Sequence, residues 1–107
     1  MANDLPIACS LSATDLSARR TQIAELGRDA LVDARVDASR AELRFAAGAA
    51  VRERVQRLAD AERECCPFLT LRVEDAPDAV RLTIDAPEEA ALVLEEIVAA
   101  FRPRVPR

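Results

Sequence analysis

Two stretches of the chain each carry a pair of strand-length apolar runs with a short polar break between them. In the first, residues 31–36 and 41–45 flank Asp37-Ala38-Ser39-Arg40. In the second, the run through Leu69, Leu71 and Val73 and the run through Val80, Leu82 and Ile84 flank Asp75-Ala76-Pro77-Asp78. Breaks of this length and chemistry close antiparallel hairpins. Leu43 and Phe45 alternate with Glu42 and Arg44, so one sheet face is wet and the other needs a cover. The intervening segments supply it.

A first helix begins at Ser12 or Thr14, with a stripe of Leu16, Ile23 and Leu26, and is expected to end near Gly27. A second begins between Gly48 and Ala50. Val51, Val55, Leu58 and Cys65 share one of its faces, and Pro67 ends it because proline lacks an N–H and disfavours helix at the residue before it. A third follows Pro87, with a stripe of Ala90, Leu94, Ile97 and Phe101. Ahead of all three, Leu5, Ile7, Cys9 and Leu11 alternate with Pro6, Ala8 and Ser10, the pattern of a half-buried strand. The order β-α-β-β-α-β-β-α predicts an α+β fold, a mainly antiparallel sheet with helices packed on one face. A ferredoxin-like variant is consistent with that order.

The 107 residues suit one domain spanning residues 1–107, with 102–107 as a loose tail. No internal repeat is visible. His, Tyr, Trp and Lys are absent, which excludes a Ser–His–Asp triad, a histidine metal helix and Schiff-base chemistry in this chain. Two glycines, Gly27 and Gly48, cannot write a phosphate loop or a dinucleotide fingerprint, so no organic cofactor is expected. A net charge of −4 argues against a nucleic-acid partner, and no apolar run is long enough to span a membrane. The chain reads as cytoplasmic. Thiols are expected to stay reduced there, and with 3 cysteines at least one is free in any case.

The chemically pointed segment is Glu62-Arg63-Glu64-Cys65-Cys66-Pro67-Phe68. Adjacent helical side chains diverge by about 100°, so Cys65 and Cys66 converge only if the helix unwinds at Pro67. Three readings compete. Cys65, Cys66 and Cys9 form a soft-metal or metalloid site for Hg(II), Cu(I), Zn(II) or As(III), because thiolates select soft ions. In that reading Glu62 or Glu64 holds the thiolate geometry and Phe68 roofs the site. Alternatively the thiols are redox-active or nucleophilic, against which stand the negative helix end and the flanking Glu62 and Glu64, offset in part by Arg63. Or the cysteines simply pack, which suits Cys9 and Cys65 better than Cys66, since Cys66 lies off the apolar stripe.

The motif Glu64-Cys65-Cys66-x-Phe68 resembles that of a group of short bacterial proteins associated with mercury- and other heavy-metal-resistance gene neighbourhoods. They open with a strand bearing one Cys, as Ile7-Ala8-Cys9-Ser10-Leu11 does. They close on V-x-L-x-I-x-A-P and a helix, as Val80-Arg81-Leu82-Thr83-Ile84-Asp85-Ala86-Pro87 does. The likeness runs from about residue 7 to residue 101 and implies that Cys9, Cys65 and Cys66 act as a set on a metal. The expectation is a binding protein for a soft heavy-metal ion or metalloid, used in sequestration, sensing or transfer, with no catalytic residue assigned. The rivals are a non-catalytic interaction module that pairs with a protein partner or with itself as a homodimer, and a thiol-dependent redox enzyme.

Overall fold

A computed structural model describes residues 13–102. Helix α1 (Ala13–Ala30) leads into the hairpin β1 (Leu31–Asp37) and β2 (Arg40–Ala46). Helix α2 (Ala49–Cys65) then precedes the hairpin β3 (Thr70–Ala76) and β4 (Ala79–Asp85). One turn of 3-10 helix, Glu88–Ala90, opens α3 (Ala91–Phe101). The expected strand through Leu5, Ile7, Cys9 and Leu11 and the tail beyond residue 102 lie outside the described residues.

Both hairpins form where the sequence predicts them, joined through a sheet of order β1-β2-β4-β3 in which every neighbouring pair is antiparallel. The α+β class is therefore as expected. Strands β2 and β3 flank β4 and are linked by α2, which makes one split β-α-β unit, the building block of ferredoxin-like sheets. In the β1–β2 turn Ala38 takes a φ of 56°, the left-handed conformation that two-residue hairpin turns demand. Gly48, with φ 140°, turns the chain from β2 into α2.

One sheet face carries Ala41, Leu43 and Phe45 of β2 and Val80, Leu82 and Ile84 of β4, all buried. The helices cover this face. Phe45 meets Phe101 of α3 edge-on, with ring centroids 5.6 Å apart, a favoured aromatic geometry. The other face is polar, with Arg44 exposed and Arg40 bonded to Asp85 at 2.6 Å.

Two expectations are corrected by packing. Helix α1 runs past Gly27 to Ala30, so Gly27 does not end it. A Cβ on Gly27 would sit 1.7 Å from the Phe101 carbonyl oxygen; the glycine is there to let the end of α3 lie against α1. On α3 Leu94, Val98 and Phe101 are the deeply buried residues, while Ile97 of the expected stripe is only half-buried.

The third correction is larger, because the chain does repeat in structure. Each strand of the first hairpin begins at a constant offset from its counterpart in the second, Leu31 with Thr70 and Arg40 with Ala79. Leu43 pairs across the sheet with Leu82, its own counterpart. At the same offset, the buried positions Val55, Ala59 and Glu62 of α2 correspond to Leu94, Val98 and Phe101 of α3. The sequence hides this because most of the matched positions share burial rather than residue identity. One match breaks the apolar rule: Glu62 occupies the position that Phe101 fills in the other half.

Candidate metal centre

The buried stripe of α2 comprises Val55, Leu58, Ala59, Glu62 and Cys65. The end of this helix before Pro67 sets the direction of the Cys66 side chain. Cys66 leaves helical geometry at φ −127° and ψ 75°, while its N–H still donates to the Glu62 carbonyl at 2.8 Å. That last bond holds the residue against the helix end while the altered dihedrals swing its side chain round. The Cys65 and Cys66 Sγ atoms lie 3.6 Å apart, the convergence that the sequence makes conditional on unwinding before Pro67. Cys66 is fully buried although it lies off the helical stripe, because it is no longer helical.

Glu62 stands one turn back and divides its carboxylate between two tasks. Oε1 lies 3.6 Å from Cys66 Sγ and 3.9 Å from Cys65 Sγ. Oε2 accepts a hydrogen bond from Arg19 Nη1 of α1 at 2.6 Å, and the same nitrogen is 3.5 Å from Cys65 Sγ. The ion pair is sheltered, with side-chain exposures of 15% for Arg19 and 6% for Glu62. Burial and the Glu62 carboxylate push the Cys65 thiol above its ordinary pKa, and the Arg19 guanidinium opposes them without prevailing.

Cys65 is a free thiol. Cys66 is disulfide-bonded. The expectation that all thiols stay reduced is therefore not met at Cys66; it rested on an inferred compartment and not on geometry. Cys9 lies outside the described residues.

The remaining expected site residues divide. Glu62 is in the cluster, closer to the sulfurs than a supporting role requires. Glu64 is exposed, and Phe68 is half-buried against the core. Arg63, expected to offset the negative helix end, turns outward to Asp60 and to the Leu71 carbonyl. Arg19 supplies the positive charge instead. The sequence reading missed it, since a residue on α1 carries no local signal of a partner on α2. A usable signal for Glu62 was present in its spacing, three and four residues before the two cysteines.

Among the described residues, Glu62, Cys65 and Cys66 are all buried and place their donor atoms within 4.8 Å of one another, so they could hold a metal ion. Fold and site together define an α+β protein with a buried cluster of two cysteine sulfurs and a carboxylate. Comparison with protein-family models, with curated proteins and with solved structures gives no match. No helix among the described residues is long and apolar enough to cross a membrane.

Proposed function

We propose that the reduced protein binds a soft metal ion or metalloid through the thiolates of Cys65 and Cys66, and that this serves to sequester, sense or transfer the ion. One observation carries the reading. Three metal-binding side chains converge within 4.8 Å inside the core, and one of them, Glu62, stands where the other half of the fold puts phenylalanine. A carboxylate in a core position is unfavourable unless it is paired; Arg19 pairs Glu62 through Oε2, which leaves Oε1 toward the sulfurs. The resemblance to cysteine proteins encoded near heavy-metal-resistance genes points the same way, with Cys9 as a third thiolate, a cytoplasmic location and mercury among the candidate ions.

Binding requires Cys66 as a thiol, so a reductant of the small-thiol or phosphine class must first supply two electrons and two protons to its disulfide. The test is native mass spectrometry of the reduced chain titrated with Hg(II), Cu(I), Zn(II) and As(III). A stoichiometric adduct that survives a competing small thiol and vanishes in a Cys65→Ser/Cys66→Ser variant supports the reading. Absence of any such adduct defeats it.

A second reading is favoured by the free thiol of Cys65 lying 3.6 Å from a disulfide sulfur. As a thiolate, Cys65 could attack Cys66 Sγ, forming a Cys65–Cys66 bond and releasing the former partner as a thiolate that takes up the proton. The raised pKa of Cys65 keeps that nucleophile scarce at neutral pH, which ranks this reading second. Peptide mapping under non-reducing conditions tests it, since exchange would yield a Cys65–Cys66 disulfide.

A further inference from the structure

We infer that the polar face of the sheet is a self-complementary docking surface, on which a second copy of the chain packs face to face about a two-fold axis running across the strands. Such docking is independent of the metal-binding reading, since Cys65 and Cys66 lie in the core on the other side of the sheet.

The helices cover the apolar face, and on the polar one Asp33, Arg35, Arg44, Arg72 and Glu74 are exposed. Strand pairing sets the charges of this face in two adjacent rows. In the first, Arg35 lies beside Glu42, Glu42 beside Thr83, and Thr83 beside Arg72. In the second, Asp33 lies beside Arg44, Arg44 beside Arg81, and Arg81 beside Glu74. Across the order β1-β2-β4-β3 the first row reads positive, negative, neutral, positive, and the second negative, positive, positive, negative. Few of these charges are used within the chain. Arg44 meets Asp78 at 3.6 Å. Among the described residues Asp33, Arg35, Glu42, Arg72, Glu74 and Arg81 form no ion pair, although exposed arginines elsewhere do, as Arg52 does with Asp75 at 3.1 Å. At the offset of the internal repeat Asp33 corresponds to Arg72, Arg35 to Glu74 and Glu42 to Arg81. The two halves share a backbone but carry opposite charge at these positions, so the pattern is not a by-product of the repeat.

A two-fold axis that crosses the strands between the rows sets each row of one copy over the other row of the second. Arg35 then faces Asp33, Glu42 faces Arg44 and Arg72 faces Glu74, each pairing occurring twice, while Arg81 faces Thr83. An axis along the strands instead sets β1 over β3 and β2 over β4. It would place Arg35 over Arg72, Asp33 over Glu74 and Arg44 over Arg81. The first orientation opposes unlike charges and the second like charges, so the charge pattern selects the first. Stacked sheets lie about 10 Å apart with their strands within about 30° of alignment, a gap that an arginine and a facing carboxylate bridge together. Four strands of 7 residues, spaced about 4.8 Å apart, offer roughly 450 Å² per copy. A standard interface takes about 800 Å² per partner, so the dimer is weak and its attraction chiefly electrostatic.

The test is sedimentation equilibrium of the full chain at up to about 1 mM, the range in which so small an interface associates. It is run at ionic strengths of about 0.01 M and about 1 M, where the Debye length is about 30 Å and about 3 Å. The expected result is a reversible dimer at low salt that dissociates at high salt, with no disulfide-linked species on non-reducing denaturing electrophoresis. Arg35→Glu/Arg72→Glu sets carboxylates over Asp33 and Glu74 of the second copy and should weaken association by about tenfold or more. Arg20→Glu/Arg57→Glu changes the net charge equally but replaces exposed residues of α1 and α2, and should weaken association far less. Circular dichroism checks that both variants are folded, and the salt response of the native chain needs neither. A native chain that stays monomeric at low salt overturns the inference, as does a dimer that high salt leaves intact. So does a loss of association in Arg35→Glu/Arg72→Glu no greater than in Arg20→Glu/Arg57→Glu. None of these outcomes bears on the metal-binding reading, which the cysteine variant tests separately.

Discussion

Arg19 on α1 and Glu62 on α2 meet at 2.6 Å in the interior, and this one contact ties the first helix to the cysteine-bearing end of the second. It also decides which carboxylate oxygen faces the sulfurs. A buried ion pair is seldom the most stable filling for its volume. Arg19→Met alone leaves the Glu62 charge unpaired and should cost about 3 kcal/mol or more. The double variant Arg19→Met/Glu62→Leu should unfold within about 1 kcal/mol of the native chain, or be more stable. Urea denaturation of the three proteins checks this. A double variant as unstable as the single one would mean that the pair is kept for stability.

The pH dependence follows from Cys65. Its folded pKa is raised, so above the unfolded thiol value of about 8.5 the native state holds a proton that the unfolded chain has lost. That contribution is fully present below about pH 8.5 and is lost as pH rises through the folded pKa. Unfolding free energy should decline over this alkaline range, and the decline should be shallower in Cys65→Ala. Metal affinity should run the other way, rising with pH because the ion must displace the thiol proton. Calorimetry in buffers of different ionisation enthalpy would count the protons released.

Thiol state offers a direct check. Alkylation of the denatured, unreduced chain should label Cys65 and spare Cys66, and Cys66 should be labelled only after reduction. Peptide mapping reads both. Labelling of Cys66 without reductant would contradict the structure.

Gly27→Ala tests the α1–α3 contact. By helix propensity alone the change should stabilise an eighteen-residue helix by about 1 kcal/mol. The added Cβ would instead meet backbone at 1.7 Å, and backbone cannot rotate away. A net loss of about 2 kcal/mol is expected, measured as a lowered denaturation midpoint. A stabilised variant would show that α3 does not approach α1 so closely.

Hairpins, the end of α2 at Pro67 and the condition on which the two cysteines converge were legible in the sequence because each depends on neighbours. Alternation over a few residues specifies a strand, and Asp37-Ala38-Ser39-Arg40 specifies its turn. Pro67 forbids the hydrogen bond that would have kept Cys66 helical and turned it away from Cys65. The candidate cysteines were legible for the same reason.

Only the tertiary structure decided what surrounds the sulfurs. Glu62 and Glu64 were equal candidates in sequence, and Glu62 alone becomes a core residue because α2 must bury that face against the sheet. Arg19 reaches it across 43 residues, a separation at which periodicity carries no information. Gly27 has the same history: locally it is a helix terminator, and globally it is the gap that admits Phe101. Local patterns encode which backbone conformation each segment takes. Which side chains then share a buried volume depends on how the segments pack, and here that packing joins a carboxylate, a guanidinium and two sulfurs into one site.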